Sequence, residues 1–219
     1  MSIKRTLLIQ FRVDGDLCAL SHRETLTLWQ RVLIRCRLPL RYSRGFNPRP
    51  GVSLPLPRAV GLCSDGELLS AELEGPAEFC AEAFGRQLNG MLPSGCAVTG
   101  VEVVEGSRRL HAVQVDYLME RSEGVEVRRW EACVERCSRQ LAGGEPIVIE
   151  RNTPKHKKRP VNLRDYVEAV TGNRDTLRLR CRVDSSGSVR VEELLGWLEI
   201  GPRDLARPPH RTGVVWIQN

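Results

Sequence analysis

The densest group of chemically useful side chains lies between residues 41 and 50, some twenty residues after Leu20-Ser21-His22. The stretch is Arg41-Tyr42-Ser43-Arg44-Gly45-Phe46-Asn47-Pro48-Arg49-Pro50. Arginines bind phosphates, aromatic rings stack on unpaired bases, and an amide can hydrogen-bond a base edge. These residue types favour recognition of single-stranded RNA. In the alternative interpretation the prolines build a rigid turn and Phe46 packs into the core.

The charge distribution also points to a polyanionic partner. Residues 25–64 hold seven arginines and no acid, and residues 151–164 hold six basic residues and no acid. The other 165 residues carry 20 basic and 27 acidic side chains. Basic segments on an acidic body are typical of proteins that bind phosphates. A solvated surface balanced by acids elsewhere in the fold is the alternative.

His22 is the only candidate for a catalytic residue. It lies in the first turn of a predicted helix, where the helix dipole favours the neutral imidazole, and a neutral imidazole beside a phosphate can act as a general base. Histidines at helix starts are more often structural hydrogen-bonding groups. The sequence contains no phosphate-binding loop, nucleophile elbow or H-E-x-x-H motif. We therefore do not expect the chain to be an enzyme by itself.

The cysteines are expected to be buried free thiols. Thiols stay reduced in the cytoplasm, and we expect a cytoplasmic protein without membrane contact. The reason is that the apolar run after Lys4 and Arg5, Thr6–Phe11, is too short for a signal peptide or a membrane span. No C-x-x-C pair occurs, and no metal site is predicted. The eight cysteines are Cys18, Cys36, Cys63, Cys80, Cys96, Cys133, Cys137 and Cys181.

Hydrophobic periodicity predicts an α+β fold with two ferredoxin-like (split βαβ) halves, residues 1–106 and 107–219, each an antiparallel sheet with helices on one face. A capping box at Ser21 starts the first helix, and Pro76 starts the second. Residues 163–170 are predicted to be helical or irregular. The run from Arg151 to Pro160 is predicted to be a loop. The two basic segments then follow the first helix of each half.

Several motifs resemble the bacterial radical-SAM-linked domain of unknown function, which is encoded beside or fused to an uncharacterised radical SAM protein. The most specific is Gly45-Phe46-Asn47-Pro48-Arg49-Pro50 after Tyr42-Ser43. Supporting motifs are Leu20-Ser21-His22, Leu38-Pro39-Leu40, Leu54–Leu56, Ser188-Val189-Arg190 with Glu192-Glu193-Leu194-Leu195, and Arg211-Thr212-Gly213. Arg23-Glu24 departs from the usual Leu-Asp. The resemblance implies a radical SAM partner that holds the iron–sulfur cluster and S-adenosylmethionine, with no cofactor in this chain.

Together these observations predict an RNA-binding accessory module of a radical SAM enzyme, acting in RNA modification or in ribosome or tRNA metabolism. Two alternatives stay open: a metal-free RNA endonuclease that uses His22, and a subunit that docks on the radical SAM partner without touching RNA. The predicted RNA-binding residues are Arg41, Tyr42, Ser43, Arg44, Phe46, Asn47, Arg49, Lys155, Lys157, Lys158, Arg159 and Arg164.

Overall fold

The computed structural model describes residues 4–75, 80–106, 109–152, 158–184 and 187–218. Within these ranges the protein is a mixed α+β structure with four α-helices and mainly antiparallel strands. The chain divides into two compact units, residues 1–111 with 216–219, and residues 112–215. In the described ranges, no helix combines the length and the apolar character that crossing a membrane requires.

The first unit has the strand order β4-β1-β3-β2, and each neighbouring pair is antiparallel. In the chain, α1 connects β1 to the segment that leads to β2, and α2 connects β3 to β4. Its elements are β1 (Arg5–Val13), α1 (His22–Arg35), β2 (Val52–Ser53), β3 (Cys63–Leu73), α2 (Ala81–Asn89) and β4 (Cys96–Glu105).

Helix α1 forms as its sequence predicts. The Ser21 hydroxyl accepts a hydrogen bond from the Glu24 N–H, and the Glu24 carboxylate accepts one from the Ser21 N–H at 2.8 Å, so two backbone donors at the helix start are satisfied. One face is buried, where the Trp29 ring meets the Phe11 ring of β1 at 4.8 Å. The opposite face carries Arg31 and Arg35, both exposed.

The second unit has the strand order β11-β5-β9-β8, and the short strand β10 also pairs with β9. Strands β6 and β7 form a separate antiparallel hairpin between α3 and β8. The elements are β5 (Leu110–Glu120), α3 (Val127–Ala142), β6 (Val148–Asn152), β7 (Lys158–Asn162), β8 (Val167–Gly172), β9 (Thr176–Asp184), β10 (Gly187–Ser188), α4 (Val191–Leu198) and β11 (His210–Gln218).

Three predictions about these elements need correction or restriction. The run from Arg151 to Pro160 is not simply a loop, because Arg151 pairs with Arg159 in the β6-β7 hairpin. Residues 163–165 form a single 3-10 turn, but Val167–Gly172 is a strand, because Val167 and Val170 are buried where β8 pairs with β9. The predicted start of α2 at Pro76 lies outside the described residues.

Candidate functional site

Residues 41–51 form a hairpin-like loop, here called the basic hairpin, whose arms are fixed by backbone hydrogen bonds. The Gly51 N–H donates to the Arg41 carbonyl at 2.7 Å, and the Ser43 N–H donates to the Arg49 carbonyl at 2.8 Å. Tyr42 and Pro50 form the bridge between these bonds. Strand β3 secures the base, because the Arg41 N–H donates to the Glu72 carbonyl at 2.8 Å. The tip therefore projects from an ordered support.

The tip of the basic hairpin, residues 44–48, is exposed throughout. Gly45 has φ +143°, a conformation that side chains disfavour, so glycine suits this turn. Phe46 is fully exposed at 105%, and Tyr42 in the adjoining arm is 44% exposed. The interpretation that places Phe46 in the core is therefore wrong: the paired arms carry its ring away from the core.

Arg44 and Arg49 flank Phe46 and are exposed. Among the described residues neither forms an ion pair. The same holds for Arg31, Arg35 and Arg37 on the helix end that leads into the hairpin. These arginines are positive charges that remain available to an external anion.

Two residues of the predicted contact set also support the hairpin. The Arg41 guanidinium lies 3.1 Å from the Glu72 carboxylate, with both side chains about two-fifths exposed at 41% and 42%. The Ser43 hydroxyl accepts a hydrogen bond from the Arg49 N–H at 3.0 Å. The Arg41 pair ties the first arm to β3 and the Ser43 bond joins the two arms, so both residues position the tip.

A cavity of about 470 Å³ lies along the second arm of the hairpin. Pro50 and Gly51 form one side, and Arg109 and His111 are among the other lining residues. Hydroxyls of Thr6, Ser53 and Ser70 also line it. The lining, which also includes Glu72, offers hydrogen-bonding groups at the base of the hairpin.

In the second basic segment, residues 151–164, three of the described basic residues contact other parts of the protein. Arg151 makes two bonds to the Glu193 carboxylate, at 2.6 and 2.7 Å, with both side chains at least 87% buried. Lys158 pairs with Glu150 at 2.6 Å, and this pairing raises the Lys158 pKa. Arg164 donates to the Leu141 carbonyl at 2.6 Å, at the C-terminal end of α3.

Of the predicted contacts in this segment, Arg159 is exposed and forms no ion pair with any described residue. Lys155 and Lys157, with His156 between them, lie outside the described residues. Among the described residues, the second segment therefore offers fewer unpaired cations to an external anion than the basic hairpin does.

His22 and Arg58 occupy different environments near the start of α1. His22 is the first residue of the helix and is partly buried. Arg58, one of the seven arginines of the first basic segment, is only 4% exposed. Its guanidinium donates to the carbonyls of Cys18, Leu20 and Leu62 at 2.8 to 3.1 Å, so it is a structural residue rather than a surface charge.

The expectation of buried free thiols is wrong for Cys80, which is exposed, and for one pair of cysteines. Cys18 and Cys63 form a disulfide that joins the segment before α1 to the start of β3, with their Cα atoms 5.1 Å apart. Asp14 is close enough to make this a possible three-ligand metal group. Metal binding there would require the disulfide to be reduced, because a bonded sulfur pair does not supply thiolates.

The comparison with known families covers most of the chain. A family model described as uncharacterized proteins conserved in bacteria (DUF2344) matches residues 6–192. The chain belongs to this family. The match includes the basic hairpin and the second basic segment. Among curated proteins no match is found. Membership of the family identifies no reaction, so the functional argument depends on the site.

Sequence reasoning missed the structural role of Arg58 and the pairing of Cys18 with Cys63 in this family member. No local signal reveals either, because the contacting segments are about 40 residues apart. The ion pair of Arg151 with Glu193 spans a similar separation. The sequence does not reveal this pair either, because Arg151 lies in a run of basic residues.

Proposed function

We propose that this protein is an RNA-binding accessory module that works in the cytoplasm with a radical SAM enzyme, and that the basic hairpin contacts the RNA. The observation that carries the proposal is the complete exposure of Phe46 between two arginines without ion pairs among the described residues. A fully exposed phenyl ring presents a flat apolar face, and a partner that covers it removes that surface from water. Unpaired bases cover aromatic rings by stacking, and arginines neutralise the adjoining phosphates.

The hairpin supports this role in three ways. Its arms are hydrogen-bonded and tied to β3, so less conformational entropy is lost when the tip binds. Asn47 is exposed beside Phe46 and offers both a donor and an acceptor to a base edge. The neighbouring cavity of about 470 Å³ can receive a base that leaves the stack.

The proposal includes a ferredoxin-like interpretation of each unit. Both units have a central pair of strands flanked in the order fourth-first-third-second, with a helix between the first and second and between the third and fourth. The split βαβ arrangement has this order. The basic hairpin and the β6-β7 hairpin would then occupy corresponding connections of a duplicated fold.

The radical SAM partnership depends on the sequence resemblance. The partner would hold the iron–sulfur cluster and S-adenosylmethionine, and this chain would bring the RNA to it. The sequence contains no C-x-x-C pair, so it has no local motif for binding an iron–sulfur cluster. Copurification of the two proteins, with and without nuclease, tests the partnership.

The decisive experiment measures RNA affinity as a function of salt for the wild type and for Arg44→Ala/Arg49→Ala. Removing two phosphate contacts to single-stranded RNA should lower the magnitude of the salt slope by about 1.4. Arg86→Ala/Arg128→Ala is the matched control, with the same charge change at two exposed arginines outside the basic segments. An unchanged slope in the hairpin variant, or an equal loss in the control, contradicts the proposal.

The same exposed ring and arginines also suit docking on an acidic protein surface, since buried aromatics and arginines dominate many interfaces. If docking is the function, the hairpin variant loses the radical SAM partner in nuclease-treated samples while RNA binding is weak in both proteins. The endonuclease alternative is tested by incubating labelled RNA with the purified protein in the presence of a chelator. Cleavage that His22→Ala abolishes would support it, and intact RNA would remove it.

A further inference from the structure

The sheet face of the first unit that is turned away from α1 carries a group of polar side chains beside the basic hairpin. The β1-β3 register sets Thr6 against Glu72, and the β2-β3 register sets Ser53 against Ser70. Alternate residues of a strand share a face, so Ser70 and Glu72 lie on the same side of β3. Ala71 between them is buried in the core that α1 covers. The four polar side chains therefore belong to the opposite face.

These side chains line the cavity of about 470 Å³ at the base of the hairpin. Pro50 and Gly51 of the hairpin also line it, as do Arg109 and His111 of the same unit. Sites that hold small organic molecules have volumes of about 300 to 1,000 Å³. The cavity therefore has room for the sugar of a nucleotide together with its base.

Several hydrogen-bonding groups of the cavity are unused within the described residues. The Thr6 hydroxyl donates to the Gly106 carbonyl at 2.8 Å and is occupied. The Ser53 and Ser70 hydroxyls make no hydrogen bond with a described residue, although the two residues are direct cross-strand neighbours. Glu72 uses its Oε2 atom to accept from Arg41 at 3.1 Å, and its Oε1 atom has no partner among those residues. Two hydroxyls and one carboxylate oxygen thus remain for a ligand.

The free carboxylate oxygen decides which part of an RNA fits here. A carboxylate repels a phosphate but is a strong acceptor for an O–H group. Serine hydroxyls both donate and accept. The 2′-hydroxyl of ribose is also a donor and an acceptor, and it is the group by which a protein distinguishes RNA from DNA. Its chemistry therefore matches a carboxylate that lies beside serine hydroxyls.

Arg109 adds a charge suited to the backbone that carries the sugar. It is exposed and forms no ion pair with a described residue. Its guanidinium is available to a phosphate next to the bound sugar. The Glu72 charge is already balanced by Arg41, so it does not cancel that of Arg109.

We propose that this cavity is a ribose-binding subsite that selects RNA over DNA. The 2′-hydroxyl donates to Glu72 Oε1, and a hydroxyl of Ser53 or Ser70 donates to the 2′ oxygen. The inference rests on the RNA-binding function proposed above and adds the sugar to the base and phosphate contacts. From Phe46 to Gly51 the hairpin arm spans at most about 17 Å, so one short single strand reaches both the tip and the cavity.

The test uses the whole protein and three oligomers of ten uridines: RNA, 2′-fluoro RNA and DNA. The 2′-fluoro sugar keeps the shape of ribose but cannot donate a hydrogen bond at this position. Fluorescence anisotropy at one salt concentration gives each Kd. The wild type should bind RNA about tenfold more tightly than 2′-fluoro RNA, because a hydrogen bond to a charged group is lost. The DNA oligomer should bind at least as weakly as 2′-fluoro RNA.

Variants locate this preference in the cavity. Glu72→Ala removes the acceptor, so the preference for RNA over 2′-fluoro RNA should disappear. Arg41→Ala is the matched control, because it breaks the same ion pair but keeps the carboxylate, and most of the preference should remain. Ser53→Ala/Ser70→Ala should reduce the preference about threefold, since a hydrogen bond between uncharged groups is weaker. Circular dichroism checks that each variant is folded.

The outcomes separate this inference from the function on which it rests. If the wild type binds RNA and 2′-fluoro RNA equally, or if folded Glu72→Ala keeps the preference, the ribose subsite is wrong while RNA binding stands. An equal loss in Glu72→Ala and Arg41→Ala also overturns it, because the ion pair rather than the acceptor then matters. If Glu72→Ala unfolds, the serine variant decides. A wild type that binds none of the oligomers overturns the RNA-binding function itself.

Discussion

The two basic segments of this protein both contain several basic residues and no acidic ones, but their side chains contact different groups. In the basic hairpin, Arg44 and Arg49 are exposed and have no ion pairs with described residues. In the second segment, Arg151 and Lys158 pair with carboxylates, and Arg164 binds carbonyls at a helix end. A run of positive charge therefore indicates a binding surface only after its internal partners are known.

The physical difference lies in which groups face each segment. The hairpin tip is held by backbone hydrogen bonds, so its side chains are not needed for its own stability. The β6-β7 hairpin is instead connected to α4 through Arg151 and Glu193. We expect mutations at the hairpin tip to affect binding and mutation of Arg151 or Arg164 in the second segment to affect stability.

The largest expected effect on this comparison comes from Arg151→Ala. Removing it leaves Glu193 as a buried charge without its main partner, which should lower the free energy of unfolding by about 3 kcal/mol. Arg44→Ala, an exposed arginine of the hairpin, should leave stability unchanged. Urea denaturation of the two variants measures the difference. If both variants match the wild type, the proposed structural role of the second segment is incorrect.

Phe46→Ala should show the opposite behaviour. Losing one stacked base contact should weaken RNA affinity by about 1 to 3 kcal/mol without lowering stability, because Phe46 makes no core contact. Fluorescence anisotropy with single-stranded RNA measures the affinity. Phe46→Tyr is the control, since it keeps the ring. A loss of stability in Phe46→Ala, or equal affinity in all three proteins, argues against the stacking role.

Arg164→Ala should have a smaller effect, about 1 kcal/mol of stability, because it removes a cation that binds carbonyls at the C-terminal end of α3. Thermal unfolding monitored by circular dichroism measures it. Lys158→Ala removes an exposed pair and should leave the transition unchanged. A larger effect at Lys158 than at Arg164 would reverse our assignment of structural and surface cations.

A pH series gives the subtlest distinction. Burial raises the pKa of Glu193, but bonds from Arg151 and from the Arg190 N–H outweigh it and hold the pKa below its usual 4.5. A lowered folded-state pKa means that the stabilisation is complete at neutral pH and is lost as the pH falls through 4.5 and below. Glu193→Gln should reduce this acid dependence in urea unfolding. Glu150→Gln should retain the wild-type dependence.

Much of the fold follows from local sequence. Ser21 and Glu24 start α1, and apolar residues recur at helical spacing in Val127–Ala142 and Val191–Leu198, so the sequence pattern also indicates α3 and α4. Strand β7 was missed because its first residues are charged and its only buried residue is Val161. Here pairing with β6 stabilises the strand, although the residues of β7 have a low intrinsic preference for strand structure.

The candidate site divides in the same way. The residue types of the basic hairpin favoured binding before its geometry was known, but the exposure of Phe46 depends on hydrogen bonds between its arms. Arg41 and Ser43 belong to the predicted set yet support the loop. Periodicity cannot distinguish such roles, because supporting and contacting residues alternate within a few positions.

The sequence by itself determined the α+β composition, the positions of the main helices and the segregation of positive charge into two segments, because these depend on residue type and local spacing. Only the tertiary structure decided which charges remain available. The Arg58 guanidinium is buried and donates to backbone carbonyls, and Arg151 is paired with Glu193. Arg44 and Arg49 stay exposed. The reason is that a charge's partner can come from any part of the folded chain, whereas its sequence neighbours reveal only local contacts.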